Sequence, residues 1–446
     1  DSSLGIFVST YFYCACFELN SGSPHLTDAA RNRSRGTTSS KVPVTPLLSA
    51  TTSPVPTVTT STTTRTTNTT VIPLFKQKPL LICQVMSPGY FAPGDHRNEI
   101  ASQELPSAAI CDYTLLDLPI QPNGSYDDTS YTFISSAGYR LLFNVGLQGM
   151  GLSEILSVIQ KGPFLQSVQT AQISVQPSKI YGLGFLKGLP ILESGVGLLN
   201  DNALLRRTYM TLFRILTNAR LNEDDIRNFY ALEPNVIQSR YTDYLIRLSR
   251  IGGLSIVIIL TITDEEVAEL IPSSSWDKSC LPVVNQTTMK DAVDAILQVP
   301  NPSVNYTLSI SLRLDIFHNA TLPSRNSNHL RRQHVSSHKA RSFSDVCERE
   351  LFHGNSTSAS ISYVSQRNCA FASGADSGSV ISLDTPATIR KKMFATYQWI
   401  KYPNTSTYVV GWTVYNVTRG LAPDKCLGPH NRIREIRKVI DENRYH

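Results

Sequence analysis

Charge is scarce in this chain. Asp, Glu, Lys and Arg together make up 17% of its 446 residues, below the roughly one quarter usual for soluble domains. Long apolar runs are missing as well. The segment Leu4–Phe17, LGIFVSTYFYCACF, has the length of a signal-peptide core and falls short of the ~20 residues that a membrane-crossing helix needs. No glycine-rich phosphate loop opens a helix after the first apolar run. No His-Glu-x-x-His, Cys-x-x-Cys or Gly-x-Ser-x-Gly pattern occurs. These absences exclude the phosphate-loop, zinc-protease, dithiol-redox and serine-elbow chemistries that depend on those spacings, and neither a cofactor nor a metal is expected. The net charge of +6 is concentrated in Arg325–Arg341 and in a terminal segment carrying Arg432, Arg434, Arg437 and Lys438. No extended basic face interleaved with aromatics is present, so nucleic acid is not an expected partner.

What the chain does hold is Ser, Thr and Asn. Fourteen of the twenty residues of Thr51–Thr70 are Ser or Thr, with Pro54 and Pro56 among them. A stretch without hydrophobic periodicity cannot offset its ordering entropy, and this composition reads as an O-glycosylated, mucin-like stalk or, unmodified, as a flexible linker. Nine Asn-x-Ser/Thr sequons stand at Asn32, Asn68, Asn123, Asn285, Asn305, Asn319, Asn355, Asn404 and Asn416. Sequon and stalk together point to a glycoprotein that is secreted or displayed at the cell surface. Three regions follow: a membrane- or signal-proximal segment over 1–35, the stalk over 36–78, and a globular head over 79–446. Cys14 and Cys16 lie in the first, so membrane attachment through Leu4–Phe17 is one expectation for it.

From Pro79 the texture alternates. Apolar runs suited to buried strands occur at LLICQVM, AICDYTLLDLPI, RLLFNVGL, KIYGLGFL, SIVIILTI, YTLSISLRLDIF, SISYVSQ and STYVVGWTVYNV. Between them, apolar residues spaced three or four apart predict helices at SEILSVIQ, Asn200–Asn222, Ile226–Ile251, MKDAVDAILQV, TPATIRKKMFATYQWI and HNRIREIRKVIDENR. Thr385 and Pro386 supply a start signal for the fifth of these. Eight near-continuous apolar strands separated by helices imply a parallel sheet covered on both faces and predict an α/β fold, a closed (β/α)8 barrel. An open doubly wound sheet is the alternative.

The head resembles the chitinase-like barrels of glycoside hydrolase family 18 over roughly residues 79–446. Cys83 in the first strand and Cys111 before CDYTLLDL are similar to the family's opening. FSDVC at Phe343–Cys347, LDTPATIRKKMFATYQW, YVVGWTVYNV and DKCLGPHNRIREIRKVI are similar to its closing helices and last strand. Among secreted relatives it looks most like the divergent chitinase-like proteins of blood-feeding arthropods. The resemblance implies disulfides Cys83–Cys111 and Cys347–Cys426, with Cys280–Cys369 as the remaining pair. Sequence by itself leaves fifteen pairings for six cysteines.

The family's fourth strand ends Asp-Gly-x-Asp-x-Asp-x-Glu. The Glu protonates the leaving oxygen, and the Asp before it polarises the substrate's acetamido group, which acts as nucleophile. The matching segment here is Tyr181-Gly182-Leu183-Gly184-Phe185-Leu186-Lys187-Gly188, so the acids' places hold Tyr181, Gly184, Leu186 and Gly188. The nearest acid is Glu193. Loss of hydrolysis is therefore expected. The family's Met-x-Tyr-Asp ending of the sixth strand is matched by Leu312-Arg313-Leu314-Asp315, which retains the Asp. By spacing, Thr413 takes the place of the sugar-flooring Trp of the last strand, with Trp412 one residue off. Asp315, Trp412 and the loop residue Trp276 are the candidate ligand-groove residues.

Two further clusters have plain readings. His329, His334 and His338 lie in NSNHLRRQHVSSHKARS, which reads as an exposed, disordered insertion whose basic residues can attract an acidic glycan by charge. Asp264-Glu265-Glu266 reads as a helix start, where acids complement the dipole. The expected function is non-catalytic, the presentation of a barrel that binds a glycan or a protein. The other two readings are a hydrolase of N-acetylglucosamine polymers with relocated acids and a mucin-like coat protein without a specific ligand. Oligomeric state is not legible in the sequence.

Overall fold

A computed structural model describes residues 79–86, 105–117, 138–145, 151–186, 198–219, 221–232, 241–261, 288–300, 302–312, 314–318, 337–341, 361–364, 369–373, 379–401, 409–415, 417 and 431–443. The chain divides into two units, Asp1–Thr70 and Val71–His446. The first, with Cys14, Cys16 and most of the stalk, lies outside the described residues. Among the described residues no helix is long and apolar enough to cross a membrane.

Eight parallel strands close into a barrel: β1 (Leu81–Met86), β2 (Tyr113–Asp117), β3 (Arg140–Asn144), β4 (Lys179–Phe185), β5 (Phe229–Leu232), β6 (Ile256–Ile259), β7 (Asn305–Ser311) and, last in the chain, β13 (Val410–Tyr415). Strand alternation explains the near-continuous apolar runs. Ile82, Leu115, Leu142, Phe229, Ala231, Ile256 and Ile258 turn into the barrel and form one cluster. Leu81, Leu141, Phe143, Leu183, Phe185, Tyr230, Val257, Leu308 and Trp412 turn outward and pack with the helices in the larger core. Local signals agree with this. The helix Met289–Ile296 starts on a capping box in which Thr288 and Asp291 exchange bonds of 3.1 and 3.4 Å. At the helix Pro386–Lys401, Thr388 N donates to Thr385 Oγ1 at 3.2 Å.

A second sheet, absent from the sequence-based expectation, is inserted between β7 and the helix Pro386–Lys401. Its antiparallel strands are β8 (Leu314–His318), β9 (Ser337–Arg341), β10 (Ile361–Val364), β11 (Cys369–Ser373) and β12 (Ser379–Leu383), in the order β10-β11-β12-β8-β9. Four sequence-based expectations change. YTLSISLRLDIF is two strands that part company at Leu312 and belong to different sheets. SISYVSQ contributes β10 to the inserted sheet, not a barrel strand. The expected helix Ile226–Ile251 contains β5 followed by the helix Tyr241–Leu248, because a four-residue apolar run is too short for periodicity to tell strand from helix. His338 lies in β9, so that end of the basic stretch is strand, not an irregular insertion.

Candidate functional site

In a (β/α)8 barrel the C-terminal strand ends carry the chemistry. Here the barrel's interior is divided. On β2 to β6 its middle is apolar. On β7 and β13 the inward positions are Thr307, Ser309, Ser311, Thr413 and Tyr415. Thr307 Oγ1 and Thr413 Oγ1 are 2.7 Å apart, Thr261 Oγ1 donates to Ser309 O at 2.6 Å, and Thr261 N donates to Ser309 Oγ at 2.7 Å. These buried hydroxyls satisfy one another across neighbouring strands, as buried polar groups must.

At the C-terminal end the polar residues converge on Asp117. It closes β2 and is the sole carboxylate on the described residues of the eight barrel strands. Asn144 Nδ2, at the end of β3, donates to Asp117 Oδ1 at 2.8 Å, and Asn144 Oδ1 accepts from Leu186 N at 3.0 Å. Asp117 and Asn144 are each 7% exposed. This network spans three adjacent strands and fixes both side chains. Sequence reasoning passed over it, although an Asp ending the run YTLLD and an Asn ending RLLFN were its only visible traces.

Of the residues in the places of the family's acids, Tyr181 and Gly184 lie in β4 and Leu186 follows its last residue. Gly184 and Leu186 turn inward, and Tyr181 lies toward the N-terminal end, against Tyr113, with ring centroids 6.2 Å apart. Gly188, Glu193 and Trp276 lie outside the described residues. Gly184 is more than a missing acid. A Cβ there would stand 1.9 Å from Phe229 O and 2.8 Å from Phe229 Cγ, and one at Gly182 would stand 2.1 Å from Arg227 O. Strands β4 and β5 approach too closely at these points for any side chain.

Two groove candidates are placed elsewhere than the sequence reading put them. Asp315 lies in β8 of the inserted sheet, opposite Ser382 and Ala340 and 2% exposed, not on the sixth barrel strand. Trp412 faces out of the barrel. It is fully buried under the helix Pro386–Lys401, where its indole N–H donates to Tyr397 Oη at 3.0 Å. A one-residue shift along a strand reverses the side chain, and Thr413 takes the inward place. The sequon at Asn305 also meets an obstacle: it opens β7, and its Thr307 is fully buried. The other eight sequon asparagines lie outside the described residues.

One disulfide is formed among the described residues. Cys83 and Cys111 join β1 to the segment before β2, with Cα atoms 6.0 Å apart. Cys280, Cys347 and Cys426 lie outside the described residues, and Cys369 opens β11. No group of His, Cys, Asp and Glu suited to a metal ion occurs among the described residues.

No protein-family model matches the chain, and no curated protein does. Solved structures do match. Human YKL-39, described as a pseudo-chitinase with retained chitooligosaccharide binding, shares 12% identity over 81% of this chain and 100% of its own, with a TM-score of 0.56. A glycoside hydrolase family 18 N-acetylglucosaminidase from Paenibacillus barengoltzii shares 11% over 81% and 99%, with a TM-score of 0.55. A chitinase-like agglutinin from Robinia pseudoacacia shares 10% over 80% and 99%, with a TM-score of 0.53. The chain is thus built on the barrel fold seen in family 18 chitinases and chitinase-like proteins.

Proposed function

We propose that this chain is a non-catalytic, extracellular glycoprotein whose barrel mouth binds a glycan, with N-acetylglucosamine oligomers the foremost candidate ligand. The observation that carries the reading is Gly184. One of the positions from which family 18 enzymes aim an acid into the barrel is closed to any side chain by the carbonyl of Phe229, and Leu186, in the place of the Asp that polarises the acetamido group, is apolar and buried. General acid–base help alone is worth about 10²- to 10⁴-fold in rate. Asp117, held by Asn144, serves as a fixed hydrogen-bond acceptor for a sugar hydroxyl or amide. The pseudo-chitinase neighbour supports a barrel of this kind keeping oligosaccharide affinity without turnover. The stalk composition and the sequons support a head that stands outside the cell, tethered through Leu4–Phe17 or released. The likeness to secreted chitinase-like proteins of blood-feeding arthropods belongs to the same reading.

The test pairs calorimetric titration with chitotetraose and a fluorogenic chitobioside assay on the same preparation. Binding without turnover, weakened in Asp117→Ala, is the expected outcome. Steady turnover abolished by Glu193→Gln would establish relocated acids instead. No binding across a glycan array would leave a protein partner or a coat role as the function.

A further inference from the structure

The opposite, N-terminal end of the barrel carries a feature that glycan binding at the mouth does not use. Tyr113 begins β2, Arg140 begins β3, Lys179 begins β4, and Arg227 stands two residues before β5. In a parallel barrel these four lie at one end. The Arg140 guanidinium stacks 5.7 Å from the ring centroid of Tyr181, which meets the Tyr113 ring edge-on. Arg227 lies near the Tyr113 phenol and donates through Nη1 to Asp224 O and Ile226 O at 2.6 and 2.9 Å. Arg140 and Lys179, neighbours in register, are exposed, and Arg227 is half-buried.

Among the described residues, neither Arg140 nor Arg227 forms an ion pair. The nearby carboxylate of Asp112 is engaged elsewhere, accepting from Leu81 N and from Arg437 Nη2, each at 2.8 Å. Glu223, Asp224 and Asp225 sit on an exposed turn and meet Arg227 only through a backbone carbonyl. Burial raises the Tyr113 phenol above its usual value near 10 despite the two guanidiniums beside it, so its hydroxyl stays protonated and neutral at physiological pH. Like charges gathered around a neutral donor at a rim only partly open to solvent repel one another. Guanidinium forks with a phenolic O–H are also the donor set that a tetrahedral oxyanion takes up.

We propose that Arg140, Arg227 and the Tyr113 hydroxyl form an oxyanion site at the N-terminal end of the barrel, taking a sulfate or phosphate group. Lys179 adds long-range attraction. The site is separate from the sugar-binding mouth, and its failure would leave the glycan reading untouched.

The experiment is titration of the intact chain with sodium sulfate, sodium phosphate, N-acetylglucosamine 6-sulfate and unsulfated N-acetylglucosamine, against sodium chloride at matched ionic strength. Saturable binding of the inorganic anions supports a site for free oxyanions. Binding of the sugar sulfate alone supports a site for an ester on a larger molecule. Arg140→Gln, which removes an exposed side chain, is expected to weaken either by tenfold or more. Tyr113→Phe, which keeps the ring packing, is expected to weaken it several-fold, and chitotetraose binding should be unchanged in both. Heat responses equal to those of chloride, or affinity unchanged in both variants, would overturn the proposal.

Discussion

Restoring an acid at Gly184 tests the packing and the functional reading together. Gly184 pairs with Phe229 across β4 and β5. A Cβ at this position would lie 1.9 Å from Phe229 O, 2.7 Å from its carbonyl carbon and 2.8 Å from its ring. Two of those atoms are backbone, so the strain cannot be relieved by a rotamer change. The carbonyl of Phe229 is also fixed from the other side, since Tyr209 Oη donates to it at 2.6 Å. Overpacking a core usually costs about 1–3 kcal/mol. With backbone as the obstacle and one buried hydrogen bond lost as the carbonyl moves, Gly184→Ala is expected to cost at least ~3 kcal/mol. Gly184→Asp adds a buried carboxylate with a desolvation penalty of several kcal/mol. Against a total stability on the order of 5–15 kcal/mol, the alanine variant should fold with a lowered midpoint and the aspartate variant should not fold. Leu186→Asn, whose Cβ already has room, is the control and should fold. Urea unfolding followed by circular dichroism reads all three. A Gly184→Asp protein as stable as the parent would refute the packing argument. The parent protein hydrolysing a chitobioside would refute the non-catalytic reading.

Three other outcomes are expected. The Cys83–Cys111 bridge closes a loop with a sequence separation of 28, so replacing both cysteines by Ala should lower stability by about 3–4 kcal/mol, seen as a matching shift between oxidised parent and variant in urea. Burial raises the hydroxyls of Tyr209, Tyr139 and Tyr113 above the usual value near 10. Their stabilisation is therefore fully present below pH ~10 and lost as the pH climbs through the folded values; a pH series of urea midpoints should be flat up to that point and then fall, less steeply in Tyr209→Phe. Lys392 and Asp384 form an ion pair with 0% and 1% of their side chains exposed, so Lys392→Met should cost about 3–5 kcal/mol. Lys392→Met/Asp384→Leu should recover part of that, and a double variant no more stable than the single one would count against the pair.

How much of this was legible in the sequence depended on what each signal encodes. Apolar runs flanked by helix periods report that a strand is buried, and they located β1 to β4, β6, β7 and β13. They do not report which sheet a strand joins, so SISYVSQ passed for a barrel strand and the inserted sheet went unseen. Phe229–Leu232, at four residues, fell below the length at which periodicity speaks, and the helix after it absorbed it. On β4 the glycines were visible, but the reason for them was not, because the Phe229 carbonyl lies 45 residues away from Gly184 in the chain. The bond between Asp117 and Asn144 depends on the register of β2 and β3 in the same way. Strand parity, by contrast, could be read from spacing alone. That Trp412 and Thr413 must face opposite ways followed from alternation, and the structure assigns the inward place to Thr413.

The inserted sheet raises the question of what keeps it in place on the barrel, and the buried charges answer it. The chain leaves the barrel after β7 at Leu312 and returns from β12 at Asp384. Arg432, on the terminal helix Asn431–Glu442, donates Nη2 to Leu312 O at 2.9 Å and Nη1 to Asp384 O at 3.2 Å. One guanidinium thus ties the exit to the return. Burial pushes Arg432 down to about 10, with the Asp384 charge opposing the shift, so it remains a cation at neutral pH and both bonds are charge-assisted. The Asp384 side chain meanwhile accepts from Lys392 and, at 3.2 Å, from Thr388 Oγ1 on the helix Pro386–Lys401. Apolar residues could fill this joint, but two chain crossings leave carbonyls that must be paired where water is excluded. A single long cation from the last helix meets that need at both crossings, and it makes docking of the inserted sheet depend on docking of the C-terminus. Arg437 repeats the device at the other edge of the same helix, donating Nε to Ile110 O at 2.7 Å and Nη2 to Asp112 Oδ2 at 2.8 Å, beside the Cys83–Cys111 bridge. Two of the basic residues that give the terminal segment its charge, Arg432 and Arg437, are therefore spent inside the fold.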